Sequence, residues 1–529
     1  GVPQNPPPKS DCSPLFGGGA PAGPLPPPPT LLYRDLGDHV LSLQLRLSDL
    51  LRPTWLNIGD RWVSGDSWVE PAKAAALTTV FREDDAPFVR LIVKERAPGE
   101  PDFLELLMKP GEARITAGAF GTAPVYVTTV DDVLHASWDI AELLPRLRTL
   151  RLVPRVVART LSRQHRYTTE TLFEGVYRIT ERASAVFTCT GLDVRYPEPA
   201  EHVLSPRALR PGANPLGVLN KLLHDVVREA AAPTAQVGVE LSGGADSANV
   251  ALAVASAPYR EVRSFGLLMG DHTGVSQRVR RRCLVQHCGF TDTALPALQF
   301  PPFVPGGVRA AGRPHDPAGA FYQEAFDAVR TQAARRRCEV MFTGTGGDEV
   351  NAHHSRSTAN LPAPPAVPWL GSRAEKALRE LDVHLAPMPV LPVPALMGFG
   401  LHNPGYLRVG VWPVSPLVHP RLVRFMEQLP HELKRGKALF RDRIRRAGLP
   451  ESVASPADPE NFLGVMETGL RHFGLRTLDT MRKDSVLVDL GYVDAKALSR
   501  ARGDAERAAV VPDLLCDTIA LEVGLRSLM

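Results

Sequence analysis

Two passages govern what this chain can fold into. Residues 237–248 read VGVELSGGADSA, and residues 340–350 read VMFTGTGGDEV. Each runs from a short apolar, strand-forming stretch into a glycine-rich turn and then into residues that suit a helix start. The same texture repeats around them. "AQVGVEL", "EVRSFGLLMG" and "CEVMFTG" read as buried strands. "LGVLNKLLHDVVREAA", "SANVALAVASA", "SQRVRRRCLVQHCG" and "EAFDAVRTQAARRR" read as helices. Strands alternating with helices imply a parallel sheet with helices on both faces. In such sheets ligands gather outside the carboxyl ends of the strands, where both turns must lie.

The turns specify the ligand chemistry. Gly243 and Gly244 let backbone N–H groups approach phosphate oxygens, and the following helix adds free N–H groups and a favourable dipole. Ser242 and Ser247 supply hydroxyl donors. Asp246 repels phosphate unless Mg²⁺ lies between them. The GxxxxGK[ST] spacing of a Walker A loop is absent. The second turn repeats the logic with Gly344, Gly346 and Gly347, and Asp348 is placed as the second metal ligand. Two such loops, about 100 residues apart in one α/β domain, suit a nucleoside triphosphate with Mg²⁺, its pyrophosphate neutralised between them.

Composition sets the frame. A chain of 529 residues suggests two to four domains. With 44% hydrophobic and 22% charged residues it can bury a sizeable core. A net charge of +4 demands no nucleic acid partner. The six cysteines are too scattered for a disulfide framework and suggest a reducing compartment. Cys283 and Cys288 flank His287, but two further ligands at metal spacing are missing, so a helix face is expected rather than zinc. No apolar run reaches membrane-spanning length and no signal-peptide pattern opens the chain, so a soluble cytoplasmic protein is expected.

Three regions follow. Residues 1–30, rich in Pro and Gly, read as a disordered tail. Residues 31–205 are strand-rich, with a helical stretch at 140–165 and a strand–turn–strand in "TLFEGVYRITERASAVFTCTG", and form one α+β domain. A Pro/Gly linker near 205–215 leads into the α/β region, 206–529. Residues 351–372 read as a long mobile loop, and the remainder as mainly helical with a Pro-interrupted stretch at 385–416.

"LSGGADS" resembles the pyrophosphate loop of ATP pyrophosphatases, and "TGTGGDE" the matching loop of the asparagine synthetase family. "GAFGTAPVYV", "HASWDIAELL", "FEGVYRITERASAVF" and "SPLVHPRLVRFMEQLPHELKRGKALFRDRI" extend the likeness over most of the chain. The resemblance implies a glutaminase-like, Ntn-type β-sandwich followed by a parallel-sheet ATP pyrophosphatase domain (adenine nucleotide α-hydrolase-like) with a helical extension. It implies a reaction in which a carboxylate attacks the α-phosphate of ATP, pyrophosphate leaves, and an amine displaces AMP to give an amide. Asp246 and Asp348 would hold Mg²⁺, Leu241 and the "SFGLL" backbone around Gly266 would flank the adenine, and Lys437 with Arg441, four residues on and on one helix face, would serve catalysis.

The first cysteine, Cys12, lies in the Pro-rich tail, so the sandwich looks like a glutaminase fold without its nucleophile. The amine is then expected from the substrate. Two groups fit. β-Lactam and carbapenam synthetases usually carry Tyr where this chain has Thr345. Lasso peptide cyclases resemble "LPESVASPADPENF" and "LVDLGYVDAKAL" most. In the latter the Pro-rich stretch would line a substrate cavity, with Tyr406 and Trp412 as wall residues. Precursor peptide, leader-binding protein and leader peptidase would be partners, and no membrane. Relatives place Arg and Lys where Pro456 and Pro459 stand here, and no Lys occurs between Lys437 and Lys483. Three readings stay open: a macrolactam-forming peptide cyclase, a small-molecule amide or lactam synthetase, and a nucleotide-binding scaffold without activity.

Overall fold

The computed structural model describes residues 41–529 except 59–60, 72–78, 84–88, 94–101, 204, 271, 320–321, 353–365, 383 and 507–511. The expected tail at 1–30, with Cys12, lies outside the described residues, as does most of the expected loop at 351–372. The end of that loop is fixed rather than mobile: Trp369 is fully buried, its Nε1 donates to Thr518 Oγ1 at 2.8 Å, and Leu370 pairs with Val493.

Period-two alternation builds the N-terminal half. Along Leu41–Arg46, Leu104–Lys109 and Glu112–Ala117 every second side chain is buried. Antiparallel pairing joins these strands and their neighbours into a seven-stranded and a six-stranded sheet. Leu43, Leu45 and Val127 of the first sheet share one apolar core with Leu106, Ile115 and Phe187 of the second, so the sheets face each other as a sandwich. The helical stretch includes α1 (Pro154–Ser162), and the strand–turn–strand resolves into Val176–Ile179 and Ser184–Thr188.

The C-terminal half is built on five parallel strands: β1 (Val237–Glu240), β2 (Val262–Leu268), β3 (Thr291–Pro296), β4 (Val340–Phe342) and β5 (Trp412–Val414). Their order is β3-β2-β1-β4-β5. The first strand is central, and the chain leaves it first toward β2 and later toward β4. The crevice at the carboxyl ends of β1 and β4 is therefore the topological switch point, where ligands bind in such sheets. Five helices matter for the site: α2 (Ala245–Ala255), α3 (His272–Cys288), α4 (Gln323–Arg335), the one-turn α5 (Gly347–Asn351) and α6 (Val393–Arg408). A sixth, α7 (Ala438–Arg446), follows. Cys283, His287 and Cys288 lie on α3, and no cluster of three potential metal ligands occurs among the described residues.

Trp412 and Tyr406 overturn an expectation. Neither lines the cavity between the sandwich and α6. Trp412 opens β5 and is 1% exposed, its Nε1 donating to Asp102 Oδ2 of the sandwich at 2.8 Å. Tyr406 on α6 is 2% exposed and donates its hydroxyl to Glu240, whose carboxyl burial pushes above the usual range. The physical reason is the sheet edge: β5 and α6 cover it, and large aromatics fill the gap.

His419 ties the turn beside β5 to the helix Pro420–Gln428. Its Nδ1 accepts from Arg421 N–H at 3.2 Å, and its ring meets Phe120 edge-on at 5.6 Å. Burial, helped by Arg421, lowers it to about 3. The unfolded chain takes that proton near pH ~6.5. Between those values the unfolded state binds more protons, so stability rises with pH and falls on acidification. Urea midpoints at pH 7 and 5 test this: His419→Asn is expected to lose less stability on acidification than the parent. Parallel losses in both would show that the ring plays no part.

Candidate functional site

The β1–α2 and β4–α5 turns meet at the switch point because glycine lets them touch. Gly243 has φ +97° and Gly346 φ +91°, conformations that favour glycine. A Cβ on Gly344 would stand 3.0 Å from Ser247 N, and one on Gly347 would stand 2.2 Å from the Asp246 Cγ. Within the first turn, Ser242 Oγ accepts from Gly244 N–H at 3.1 Å and lies 3.2 Å from Ser247 Oγ. Ser247 donates to Gly244 O at 3.1 Å. In the second, Thr343 Oγ1 sits 2.8 Å from Ser415 Oγ of the segment after β5 and 3.2 Å from Thr345 Oγ1.

Three charges converge above the turns. Lys437 Nζ lies 2.6 Å from Asp246 Oδ2 and 2.7 Å from Asp348 Oδ1. Lys437 has φ +61° and follows Gly436 at φ +58°, so two successive left-handed residues aim the side chain inward just before α7. Burial works against the ammonium, but its two carboxylate partners outweigh it and hold Lys437 above the ordinary lysine value. Asp246 is pushed up by burial, with Lys437 opposing and the negative charges of Asp348 and Glu349 adding to the rise. The Asp246 side chain is 19% exposed and that of Asp348 81%. Asp246 Oδ1 is buried without a hydrogen-bond partner. One buried carboxylate with a spare oxygen beside one exposed carboxylate suits Mg²⁺, which completes its shell with water and phosphate oxygens.

A layer beneath the turns went unnoticed in the sequence. From α3, Gln277 Nε2 donates to Ser242 O and to Leu267 O, each at 2.9 Å, while its Oε1 accepts from Met269 N–H at 2.9 Å. Arg280, 2% exposed, donates to Gly243 O at 3.1 Å and pairs with Glu460 at 2.6 Å. The segment with Pro456 and Pro459, where relatives were expected to carry a cation, thus lies over the first turn and brings a carboxylate: Glu460 Oε1 is 3.0 Å from where a Gly244 Cβ would be. Arg280, from below, neutralises it. Gln277, Arg280 and Arg281 stand at helical spacing in "SQRVRRR", and polar residues on what must be a buried face were the available signal.

Three further predicted site residues have these surroundings. The Leu241 side chain is fully buried in the core, so only its backbone at the end of β1 is open to a ligand. Gly266 faces the Arg281 guanidinium: a Cβ there would lie 2.0 Å from Arg281 Nη1 and 2.4 Å from Leu241 O. Arg281 pairs with Asp292 at 2.5 Å beside this backbone. Arg441 does not share a helix face with Lys437, which precedes α7 in a left-handed conformation. Ser242, Gly243, Gly244, Asp246, Ser247, Gly344, Gly346, Gly347, Asp348 and Lys437 do come together at the two turns.

Behind the second turn a cavity of about 520 Å³ opens between the sandwich and α6. Gly398 of α6 lines it and lies against the second turn: a Cβ there would meet Thr345 Cγ2 at 3.8 Å. Exposed Leu401 and half-exposed Val393 stand along the same helix.

Residues 218–392, about a third of the chain, match the family model described as asparagine synthase, which indicates an ATP-using, amide-forming ligase domain. No curated protein sequence matches the chain. Among solved structures, the chain is similar to a U34-tRNA thiolase from Methanococcus maripaludis (10% identity, 56% of this chain and 80% of the other, TM-score 0.25). It is also similar to an allosteric regulatory enzyme of purine biosynthesis (8%, 51% and 76%, TM-score 0.19). A third is a glutamine phosphoribosylpyrophosphate amidotransferase from B. subtilis (7%, 51% and 77%, TM-score 0.17). No helix among the described residues is long and apolar enough to cross a membrane.

Proposed function

We propose that the protein forms an amide bond at the expense of ATP, through an acyl-adenylate, releasing pyrophosphate and AMP. The observation that carries this reading is the meeting of Asp246, Asp348 and Lys437 over two glycine turns at the switch point of a parallel sheet. The turns offer backbone N–H groups and the Ser242 and Ser247 hydroxyls to the departing pyrophosphate. Asp246 and Asp348 would hold Mg²⁺, which supplies charge neutralisation at the phosphates when bound. Lys437 is the cation able to turn from the carboxylates to the phosphates as they arrive. Arg280 keeps Glu460 from repelling them.

The cavity behind Thr345 is where the carboxyl substrate enters, with the sandwich as one wall rather than a source of ammonia. The amine then belongs to the substrate, and the product is a ring. A volume of about 520 Å³ falls in the range of sites for drug-sized ligands. The cavity's partly open mouth, with apolar Val393 and Leu401, suits a peptide whose remainder stays outside, and favours macrolactam formation of the lasso cyclase kind. A precursor peptide, with a leader-binding protein and a leader peptidase, would be its partners. A compact amino acid closing on itself as a lactam is the second reading, favoured by the contact of the lining residue Gly398 with Thr345 of the second turn.

Incubation with MgATP and candidate peptides or small amino acids is expected to give equal amounts of AMP and pyrophosphate and a product lighter by one water. Tight ATP binding without pyrophosphate for any substrate would overturn the proposal and favour a scaffold.

A further inference from the structure

The cavity between the sandwich and α6 holds a guanidinium without a hydrogen-bonded partner among the described residues, although its charge acts on the buried Asp316 and on Tyr126. Arg178 leaves the strand Val176–Ile179 and lies across α6, where a Cβ on Gly400 would stand 2.0 Å from its Nη1. Only glycine at that place leaves room for the guanidinium. The ring of Tyr167 is 5.9 Å away, and no side-chain hydrogen bond or ion pair reaches Arg178 among the described residues.

The other charges of the lining are committed. Glu170 accepts from Arg155 Nε at 2.8 Å. Asp316 accepts from Ala318 N–H at 2.9 Å and from the Tyr126 hydroxyl at 3.4 Å. Arg159 and Arg166 share the single carboxylate of Asp382. Three guanidinium groups thus line the cavity against two carboxylates. Burial, with the neighbouring Arg166 and Arg155, lowers Arg159, and Glu170 and Glu380 oppose the shift. Burial beside Arg163 lowers His165. Around this polar arc the wall is apolar, with Val156, Leu172, Met397 and Leu401.

A guanidinium with donors not used in hydrogen bonds, in a lining with three guanidinium groups and two carboxylates and an apolar wall, matches a carboxylate on an apolar body. We infer that this cavity is a carboxylate-binding subsite, in which Arg178 seats a carboxylate of the ligand while α1 and α6 enclose its apolar part. That the ligand is the substrate rests on the reading of the cavity given above, whereas the preference for a carboxylate stands without it.

Saturation-transfer NMR on the full chain tests the inference, with N-acetyl-leucine and N-acetyl-leucinamide as probes. The acid is expected to bind at least about tenfold more tightly than the amide, the scale of hydrogen bonds to a charged group. Arg178→Gln is expected to bring the acid down to the level of the amide, with MgATP binding unchanged. Arg178→Lys, which keeps the charge and loses the fork, is expected to retain part of the preference and serves if the Gln variant does not fold. Asp246→Ala is expected to keep the preference while losing MgATP, so a failure of the adenylation reading is told apart from a failure of this one. Equal binding of acid and amide, no binding of the acid, or an undiminished preference in both Arg178 variants would overturn the inference.

Discussion

Asp246→Ala is expected to cut pyrophosphate release at least ~10²-fold, the scale of removing one main electrostatic stabiliser. Asp246 is the more buried of the two acids, touches Lys437 at 2.6 Å, and carries the unpartnered Oδ1. Its loss removes the buried half of the metal site and leaves Lys437 with the exposed Asp348 alone. Asp246→Asn keeps the shape that Gly347 accommodates and removes only charge, so it is expected to match the Ala variant in turnover while melting with the parent. Asp348→Asn is expected to lose less, because a side chain 81% exposed acts through solvent. Pyrophosphate release at saturating MgATP, with circular dichroism as the check on folding, decides. Undiminished turnover in Asp246→Ala would sink the site assignment.

Trp412→Ala is expected to cost about 3–5 kcal/mol, the range for deleting a buried large aromatic. The side chain packs edge-on against Trp138 of the sandwich at 6.2 Å and donates to Asp102, so it fastens the edge of the parallel sheet to the N-terminal half. Trp412→Phe keeps much of the apolar bulk and loses the donor. It is expected to cost about 1.5–3 kcal/mol, the scale of a hydrogen bond to a charged group. Urea midpoints with unchanged slope would give both numbers, and their difference is the share of packing. A near-native midpoint for Trp412→Ala would show that β5 does not anchor the edge.

The sequence was most legible where local pattern and global fold agree. β1, β2, β4 and their helices follow from apolar runs and turn residues, and the sandwich strands from strict alternation. β3 was missed because "TDTALP" is an edge strand with an exposed face. β5 was missed because a three-residue strand containing Pro413 is tolerated only at an edge. The two glycine turns were legible because glycine and acid at a strand end have few other uses. The buried support was not: whether Arg280 lies on a surface or under a loop depends on the packing of α3. The same holds for Tyr406 and Trp412, whose type suits a cavity wall and a core equally, and for Arg441, whose direction is set by the left-handed residue at Lys437.

The ion pair of Lys437 with Asp246 spans 191 positions in the chain. β1 finds its partner β4 only about 100 residues later, and the second turn leans on Val418, whose Cγ1 is 2.0 Å from where a Gly346 Cβ would be. Contacts so distant make for slow, topologically demanding folding, since chain entropy is lost before the pairing rewards it. During synthesis the two turns emerge long before their cation does. A truncation ahead of residue 437 therefore removes the lysine that both carboxylates share, and the C-terminal extension completes the charge cluster at the two turns rather than merely decorating it.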